Sequence, residues 1–524
     1  MKRNLLFIIA LFVYTYSFGQ DEVDAHRFSV NELSGSARGQ AMGGAFGALG
    51  GDVTGVAINP AGVGIYRSSE VVANMSVALN SIKTDAKIDW NGKPNSQNKT
   101  KFNFDNLSYI GYYPLAKGST NSLNFGFNYN RIKNFDRKYA ASGSDMSSSL
   151  TDYLAYFTNG INHSWWDYNG DKFNTDLPWL SILAWDGYLI NKEDGTNDQY
   201  ASLLNKGEKV SPKLNVLEKG SIESYDFTLG SNISDRFFWG LTFSLTDLYY
   251  SQSADYGEDF KDGGGFILNN YLESKGSGYQ FKTGIIYKPV DALRLGVSYH
   301  SPTWYSMTNY YHAMVIPDGI PDDGGGWAGK TETPREDSYT DYNFRTPYSW
   351  TFSAAAIIGT QAIVSLDYEI KDYTAMNLGN IGGDINYETD NQYIDEDYRI
   401  ASTLRAGLEY RFTPQFSGRA GFAWMQNPYE ASVKSGDKEV MIQGMVPHYT
   451  IEGDATYLTA GIGYRFTPQF YMDVALVYRH QKSDLYFYSP VFDIASSLSP
   501  IVSSYPASFE SNTYKGLVTL GYKF

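Results

Sequence analysis

Residues 457–466, Tyr-Leu-Thr-Ala-Gly-Ile-Gly-Tyr-Arg-Phe, decide the fold. Leu458, Ala460, Ile462, Tyr464 and Phe466 fall on one face of an extended chain. Tyr457, Thr459 and Arg465 fall on the other. Side chains in a strand point alternately to opposite faces, so a barrel in lipid reads apolar outward and polar inward. The same period of two recurs along the chain. Phe470, Met472, Val474, Leu476 and Tyr478 oppose Asp473 and Arg479, and Leu404, Ala406, Leu408, Tyr410 and Phe412 oppose Arg405, Glu409 and Arg411. Phe237, Trp239, Leu241, Phe243 and Leu245 oppose Thr242, Ser244 and Thr246. In the last segment Tyr514, Val518, Leu520, Tyr522 and Phe524 oppose Thr513, Lys515, Thr519 and Lys523.

The connections separate a membrane barrel from a soluble sandwich. The pattern predicts strands over 69–83, 101–114, 120–134, 221–234, 236–250, 277–289, 292–305, 344–360, 361–373, 399–413, 415–428, 453–467, 469–484 and 511–524. That is an even set of fourteen, as expected of a bacterial single-chain barrel. Very short links (Leu115–Ser119, Asp235, Val290–Asp291, the 360/361 junction, Pro414 and Pro468) alternate with long ones at 84–100, 135–220, 251–276, 306–343, 374–398, 429–452 and 485–510. Short periplasmic turns and long outer loops are the outer-membrane arrangement. A repeat supports the register: Tyr410-Arg411-Phe412-Thr413-Pro414-Gln415-Phe416 returns in the same order at Tyr464 to Phe470. Proline cannot donate to a ladder, so each copy places a turn.

Composition agrees. The 524 residues include 44 Tyr, 51 Gly and 16% aromatic residues, with mean hydropathy −0.36. Past the first segment no apolar run is long enough for a membrane helix. Lys2 and Arg3, the apolar stretch Leu5 to Val13, and Ser17, Gly19 and Gln20 read as a cleavable signal peptide over residues 1–20, too short to anchor a helix. The absence of Cys excludes disulfides, thiol nucleophiles, Cys metal sites and a lipidated N-terminal Cys. A net charge of −15 argues against nucleic acid as a partner.

Between that signal and the first strand, residues 34–65 hold Gly43, Gly44, Gly47, Gly50, Gly51 and Gly55 with alanines between them. Small residues suit a segment packed tightly in a lumen, where Gly allows close backbone approach and positive φ. A phosphate loop needs Gly-Lys-Ser/Thr, which is absent. Gly51-Asp52 followed by Asn59-Pro60-Ala61-Gly62 resembles the hatch of the FadL/TodX family of hydrophobic-compound transporters, and Leu295 to Pro302 after Tyr287-Lys288-Pro289 resembles its mid-barrel hairpin. The resemblance covers roughly residues 34–524. It implies a fourteen-stranded barrel with a hatch over 21–68, the barrel itself over 69–524, no cofactor, and an outer-membrane location with the N-terminus toward the periplasm and lumen. It also implies a kinked third strand that opens an exit through the wall; here Leu123–Asn134 carries Gly126 but no proline. Tyr522 and the terminal Phe524 resemble the signal that the barrel-assembly machinery reads in outer-membrane barrels generally.

The longest connection, 135–220, carries Tyr153, Tyr156, Phe157, Trp165, Trp166, Trp179, Leu180, Ile182, Leu183 and Trp185. Tyr153, Tyr156 and Phe157 have helical spacing. These side chains form either a greasy outer groove that captures a ligand, as helical outer loops do in the family, or a small core that folds the loop over the barrel mouth. The six His residues at 26, 163, 300, 312, 448 and 480 show no metal-binding spacing, and no Gly-x-Ser-x-Gly elbow is present. Asp322-Asp323 and Asp395-Glu396-Asp397 read as solvated loop charge, and Asp367, Glu369, Arg405, Glu409 and Arg411 as an inward network. The expected function is passive uptake of hydrophobic small molecules such as long-chain fatty acids across a lipid outer membrane, without catalytic or metal residues. The alternative is a barrel of this type serving protein secretion or assembly as a shuttle of the type IX secretion machinery, or a protein that binds partners through its surface loops.

Overall fold

The computed structural model describes residues 22–86, 94–115, 118–175, 177–336, 338–382, 386–440, 446–493 and 496–524; the signal expected over 1–20 lies outside them. Fourteen strands close into an antiparallel barrel: β1 (Glu70–Ala86), β2 (Asn95–Pro114), β3 (Thr120–Asn134), β4 (Val210–Ile233), β5 (Phe237–Phe260), β6 (Gly265–Val290), β7 (Leu293–His300), β8 (Ser349–Ile358), β9 (Ala362–Asp372), β10 (Ile400–Arg411), β11 (Phe416–Met425), β12 (Tyr449–Arg465), β13 (Phe470–Tyr486) and β14 (Ala507–Lys523). Each pairs with its neighbours in sequence order, and β14 closes onto β1 from Lys523↔Glu70 to Ala507↔Ala86. Closure leaves no edge with unpaired backbone groups for lipid to meet. No helix among the described residues is long and apolar enough to cross a membrane.

The short turns lie where the sequence places them. Ser234 and Asp235 both have positive φ, 53° and 59°, in the link 234–236 joining β4 to β5, the geometry that matches the twist of a hairpin. The two copies of the repeat build the same turn: Phe412 N donates to Phe416 O and Phe466 N to Phe470 O, each at 3.0 Å.

β5 shows how the strands meet lipid. Phe237, Trp239, Leu241, Phe243 and Leu245 point outward, half-buried or exposed, and Gly240, Thr242, Ser244 and Thr246 point inward. About nine tilted residues at about 3.4 Å each span roughly the 25 Å apolar band of such a barrel. The strand then runs on to Phe260 with its faces exchanged. Asp247, Ser253, Asp255 and Asp259 turn outward, and Leu248, Tyr250, Ala254 and Tyr256 turn inward. Above the membrane the barrel is therefore an ordinary water-soluble wall around an apolar filling. β4 and β6 likewise extend beyond the expected 221–234 and 277–289, so most of the expected 251–276 loop and the last part of 135–220, from Val210, are wall.

Three neighbouring strands are interrupted. β7 resumes as Trp304–Asp318 on the upper part of β6, β8 is preceded by Tyr339–Arg345, and β9 is followed by Asn377–Asn380. Pro302 and Pro347 lie in the first two breaks, where their missing N–H cannot continue a ladder.

Candidate functional site

The lumen is filled from both ends. From the short-turn side, residues 35–66 fold as α2 (Ala37–Ala41), α3 (Val53–Ile58) and a 3-10 turn (Pro60–Ile65), and almost every side chain is buried. Gly43, Gly44, Gly50 and Gly51 adopt φ between 58° and 75°, a region closed to most L-residues.

The wall accommodates this segment through its own glycines. Gly230, Gly240, Gly284, Gly296, Gly407, Gly421 and Gly461 lie on seven different strands. A methyl group on any of them would strike Val63, Pro60, Asn59, Gly47, Met42, Gly43 or Ala41, respectively. This socket was not anticipated from the sequence. Its only trace there is a glycine among the inward polar positions of successive strands.

Polar contacts complete the docking. Ala37 N donates to Thr519 Oγ1 (2.7 Å), Gly43 N to Thr459 Oγ1 (3.1 Å), and Phe46 N and Gly47 N to Asp367 Oδ2 (3.0 and 2.9 Å). Arg38 binds Glu409 through both oxygens (2.8 and 3.1 Å), and Glu409 meets Arg419 (2.6 Å), which meets Asp473 (2.5 Å). Buried charges persist when paired in this way. Of the inward network read from the sequence, Arg411 is a correction. It ends β10 at the exposed rim, because the strand turns there, and its guanidinium reaches Thr360 O at 3.5 Å.

Asn59, in the Asn59-Pro60-Ala61-Gly62 motif, joins the segment to the wall. Its Oδ1 accepts from Ala61 N (3.1 Å), capping the 3-10 turn that Pro60 starts. Its Nδ2 donates to Gly47 O (2.8 Å) and to Ile285 O of β6 (3.2 Å). Ile58 O accepts from Ser298 Oγ and from the His300 ring, both at 2.8 Å. Ala61 and Gly62 are buried, Gly62 against Gly50 and Gly55.

Above this segment lies a cavity of about 180 Å³. Its floor includes Thr54, Ala57 and Ile58, and its roof is an arm, residues 22–34, that begins with α1 (Glu22–Ser29). Phe28, Val30, Leu33 and Ile132 face it beside Lys282, His300, Glu369, Lys371, Arg405 and Arg479. Lys371 Nζ holds the arm by donating to Ser29 O (2.5 Å). His26 is buried among the rings of Tyr373, Tyr398 and Tyr429, at 5.8, 5.6 and 4.9 Å. Burial lowers its pKa to about 4, because the site disfavours the charged ring.

The aromatic residues of the outer connection form a core. Leu150–Thr158 (α4) and Trp179–Asp186 (α5) pack into a cluster with Tyr256, Leu268, Val315, Phe487 and Phe509 from the surrounding wall and loops. Tyr153, Trp166, Trp179 and Leu180 are buried within it, Phe157 and Trp185 are partly buried, and only Tyr156 and Trp165 are exposed. Trp166 stacks on Trp185 (5.5 Å) and donates from Nε1 to Tyr200 OH (2.6 Å). The set is a closed filling of the outer lumen rather than an open groove. Among the described residues no cluster of His, Asp and Glu could hold a metal ion.

Residues 267–489 match the sequence profile of a family described as outer membrane protein transport protein (OMPP1/FadL/TodX). Over that stretch the chain is similar to this family. The description is that of an outer-membrane transport family, and the closed barrel with its apolar outer band agrees with that location. Among solved structures, a FadL homologue of Pseudomonas aeruginosa superposes with a TM-score of 0.55 at 13% identity, covering 95% of this chain and 100% of that one. The toluene transporter TodX of P. putida superposes with a TM-score of 0.50 at 12% identity, covering 93% and 98%. At such identities the likeness speaks for the fold. No curated protein sequence matches the chain.

Proposed function

We propose that this chain acts as a FadL/TodX-type passive channel for amphipathic hydrophobic molecules, long-chain fatty acids foremost, and that residues 35–66 act as its hatch. The observation that carries this reading is the mixed lining of the central cavity. Apolar side chains (Phe28, Val30, Leu33, Ile132) stand beside the cationic Lys371, whose Nζ meets the Ser29 carbonyl, while Lys282 and Arg405 are paired with Asp226 and Glu369. A bare hydrocarbon gains nothing from buried ammonium groups, whereas a carboxylate gains charge-assisted hydrogen bonds. The alkyl chain contributes about 0.8 kcal/mol per buried methylene. A hatch set in a glycine socket prevents a wet pore while the cavity stays available to a ligand that enters it.

The test is uptake of labelled oleate and of toluene by cells that depend on this barrel. Saturable oleate uptake, reduced about tenfold by Lys371→Met, is expected. Toluene uptake that exceeds oleate uptake and ignores Lys371→Met would replace the carboxylate reading with a hydrocarbon one.

A further inference from the structure

With the residue 35–66 segment below the central cavity and the aromatic core above it, the wall offers a route to the cavity. Two seams in the wall adjoin residues that line the lumen cavities. At the first, the β2–β3 ladder stops at Asn106↔Asn130, although β2 runs on to Asn95 and β3 to Asn134. Arg131 bridges to Asn103 there (2.8 Å). This is the third-strand region in which the family resemblance already implies an exit.

The second seam lies at the interrupted strands. Between the pairs Ser349↔Lys371 and Arg345↔Asn377, three residues (346–348) face five (372–376). The five include the turn Tyr373–Ala375. On the other side, the β9–β10 ladder ends at Asp372↔Ile400. Beyond it no strand pairing of the piece Asn377–Asn380 on that edge is found among the described residues. The Leu378 N–H and C=O are taken instead by the Asn391 side chain of α6 (Glu388–Asp397), at 2.8 and 2.9 Å. For a stretch of wall, side-chain packing of a turn against a helix replaces the backbone ladder.

The height and the contents of this seam identify what could pass it. Tyr299, Tyr348 and Trp350 cluster on its outer side, with ring centroids 4.8 to 6.4 Å apart, and Tyr348 OH donates to Asp372 (3.1 Å). Just below, Leu366, Tyr368 and Phe352 are exposed as lipid-facing residues. Aromatic residues above an apolar band mark the membrane–water interface. The seam therefore opens at the level of the outer-leaflet headgroups. On its inner side Thr346, Pro347, Lys371 and Tyr373 line the central cavity. The arm presses on it from within, through His26 against Tyr373 and Tyr398 and through Ser29 on Lys371.

We infer that the seam between Pro347, the Tyr373–Met376 turn and α6 is a side portal through which an amphipath passes between the outer leaflet and the central cavity. An amphipath in that leaflet carries its carboxylate at headgroup height, opposite Lys371, while its tail is still in lipid. Neither end of the molecule then crosses an unfavourable phase on the way in. Opening separates the packing of Tyr373, Met376 and Leu378 against Tyr387, Ile394 and Tyr398, with the two Asn391 hydrogen bonds, whereas opening a continuous strand pair breaks a row of backbone bonds. The inference rests on the carboxylate-channel reading above.

The protein contains no Cys, so paired cysteines report cleanly. Leu378→Cys with Asn391→Cys, joined by oxidation or a short bis-maleimide, is expected to slow oleate uptake at least tenfold, with reductant restoring the oxidised form. Asn103→Cys with Arg131→Cys, which closes the first seam, is expected to leave entry into the cavity intact. The unsubstituted protein in vesicles, irradiated with a diazirine fatty acid, is expected to carry label on Tyr373–Met376 and α6. Normal uptake with the portal pair cross-linked, or label confined to residues 103–105 and 131–134, overturns the portal. No oleate uptake by the unsubstituted protein removes the carboxylate-channel reading itself, and the portal with it.

Discussion

Replacing Asn59 probes how firmly the hatch is held. The side chain is 1% exposed and makes three short contacts: Oδ1 from Ala61 N, and Nδ2 to Gly47 O and Ile285 O. Asn59→Ala removes a cap, about 1 kcal/mol. It also leaves two carbonyls without this donor, at about 1 kcal/mol each. The sum, about 3 kcal/mol, falls on the local stability of the segment rather than on the barrel, whose ladder is untouched. At about 1.4 kcal/mol per factor of ten, the amides of Gly43, Phe46, Gly47 and Ala61 should exchange roughly 100-fold faster in hydrogen-exchange mass spectrometry. β12 to β14 should keep their protection. Asn59→Asp retains the cap acceptor but sets an oxygen against two carbonyl oxygens, so it should be at least as disruptive. Exchange across residues 37–65 that accelerates less than about threefold in Asn59→Ala would refute the view that this side chain pins the hatch.

Gly240→Ala and Gly421→Ala place a methyl on hatch backbone and should cost about 1–3 kcal/mol by overpacking. Leakage of small polar solutes in liposome swelling should rise, whereas Gly516→Ala, whose methyl would meet only Leu476 at 3.8 Å, should change nothing. The buried His26, held near pKa about 4 against 6.5 when free, favours the docked arm fully above pH 6.5. That stability is lost as pH falls through 4, at about 1.4 kcal/mol per unit. Glu452 opposes this shift, and Lys133, Lys371 and Arg27 reinforce it. Exchange protection of residues 22–34 should therefore drop between pH 6.5 and 4, and His26→Gln should flatten the profile. Removing Phe524, whose N–H donates to Ser69 O at the closing seam (3.0 Å), should slow insertion by the barrel-assembly machinery. Heat-modifiable migration would show this, and a fully folded truncated form would argue against an assembly signal at Tyr522 and Phe524.

Much of the candidate site was legible as composition and little of it as geometry. The glycines and Asn59-Pro60-Ala61-Gly62 announce a tightly packed segment. Nothing in them says that Gly240 must stand against Pro60, since that contact joins positions about 180 residues apart. The aromatic residues at 153–185 supported two readings equally, because burial belongs to the finished fold. Trp166 became a core residue only when Trp185 and Tyr200 closed around it.

The sequence by itself determined the membrane-spanning wall. Every strand in the apolar band carries the period of two in one phase, and each hairpin turn carries a proline or another turn residue such as Asp235. The upper wall escaped that reading for a physical reason. In β5 the alternation continues past Leu245, but its phase inverts at Asp247 and Leu248, where the solvent outside changes from lipid to water and the lumen from polar to aromatic. Alternation records that two faces differ, not which one faces inward, and a one-residue shift of phase exchanges them. Only the tertiary structure, by placing Tyr250 and Tyr256 inside and the hatch below them, settles which face is which. It alone shows that three strands break at the same height beside one cavity.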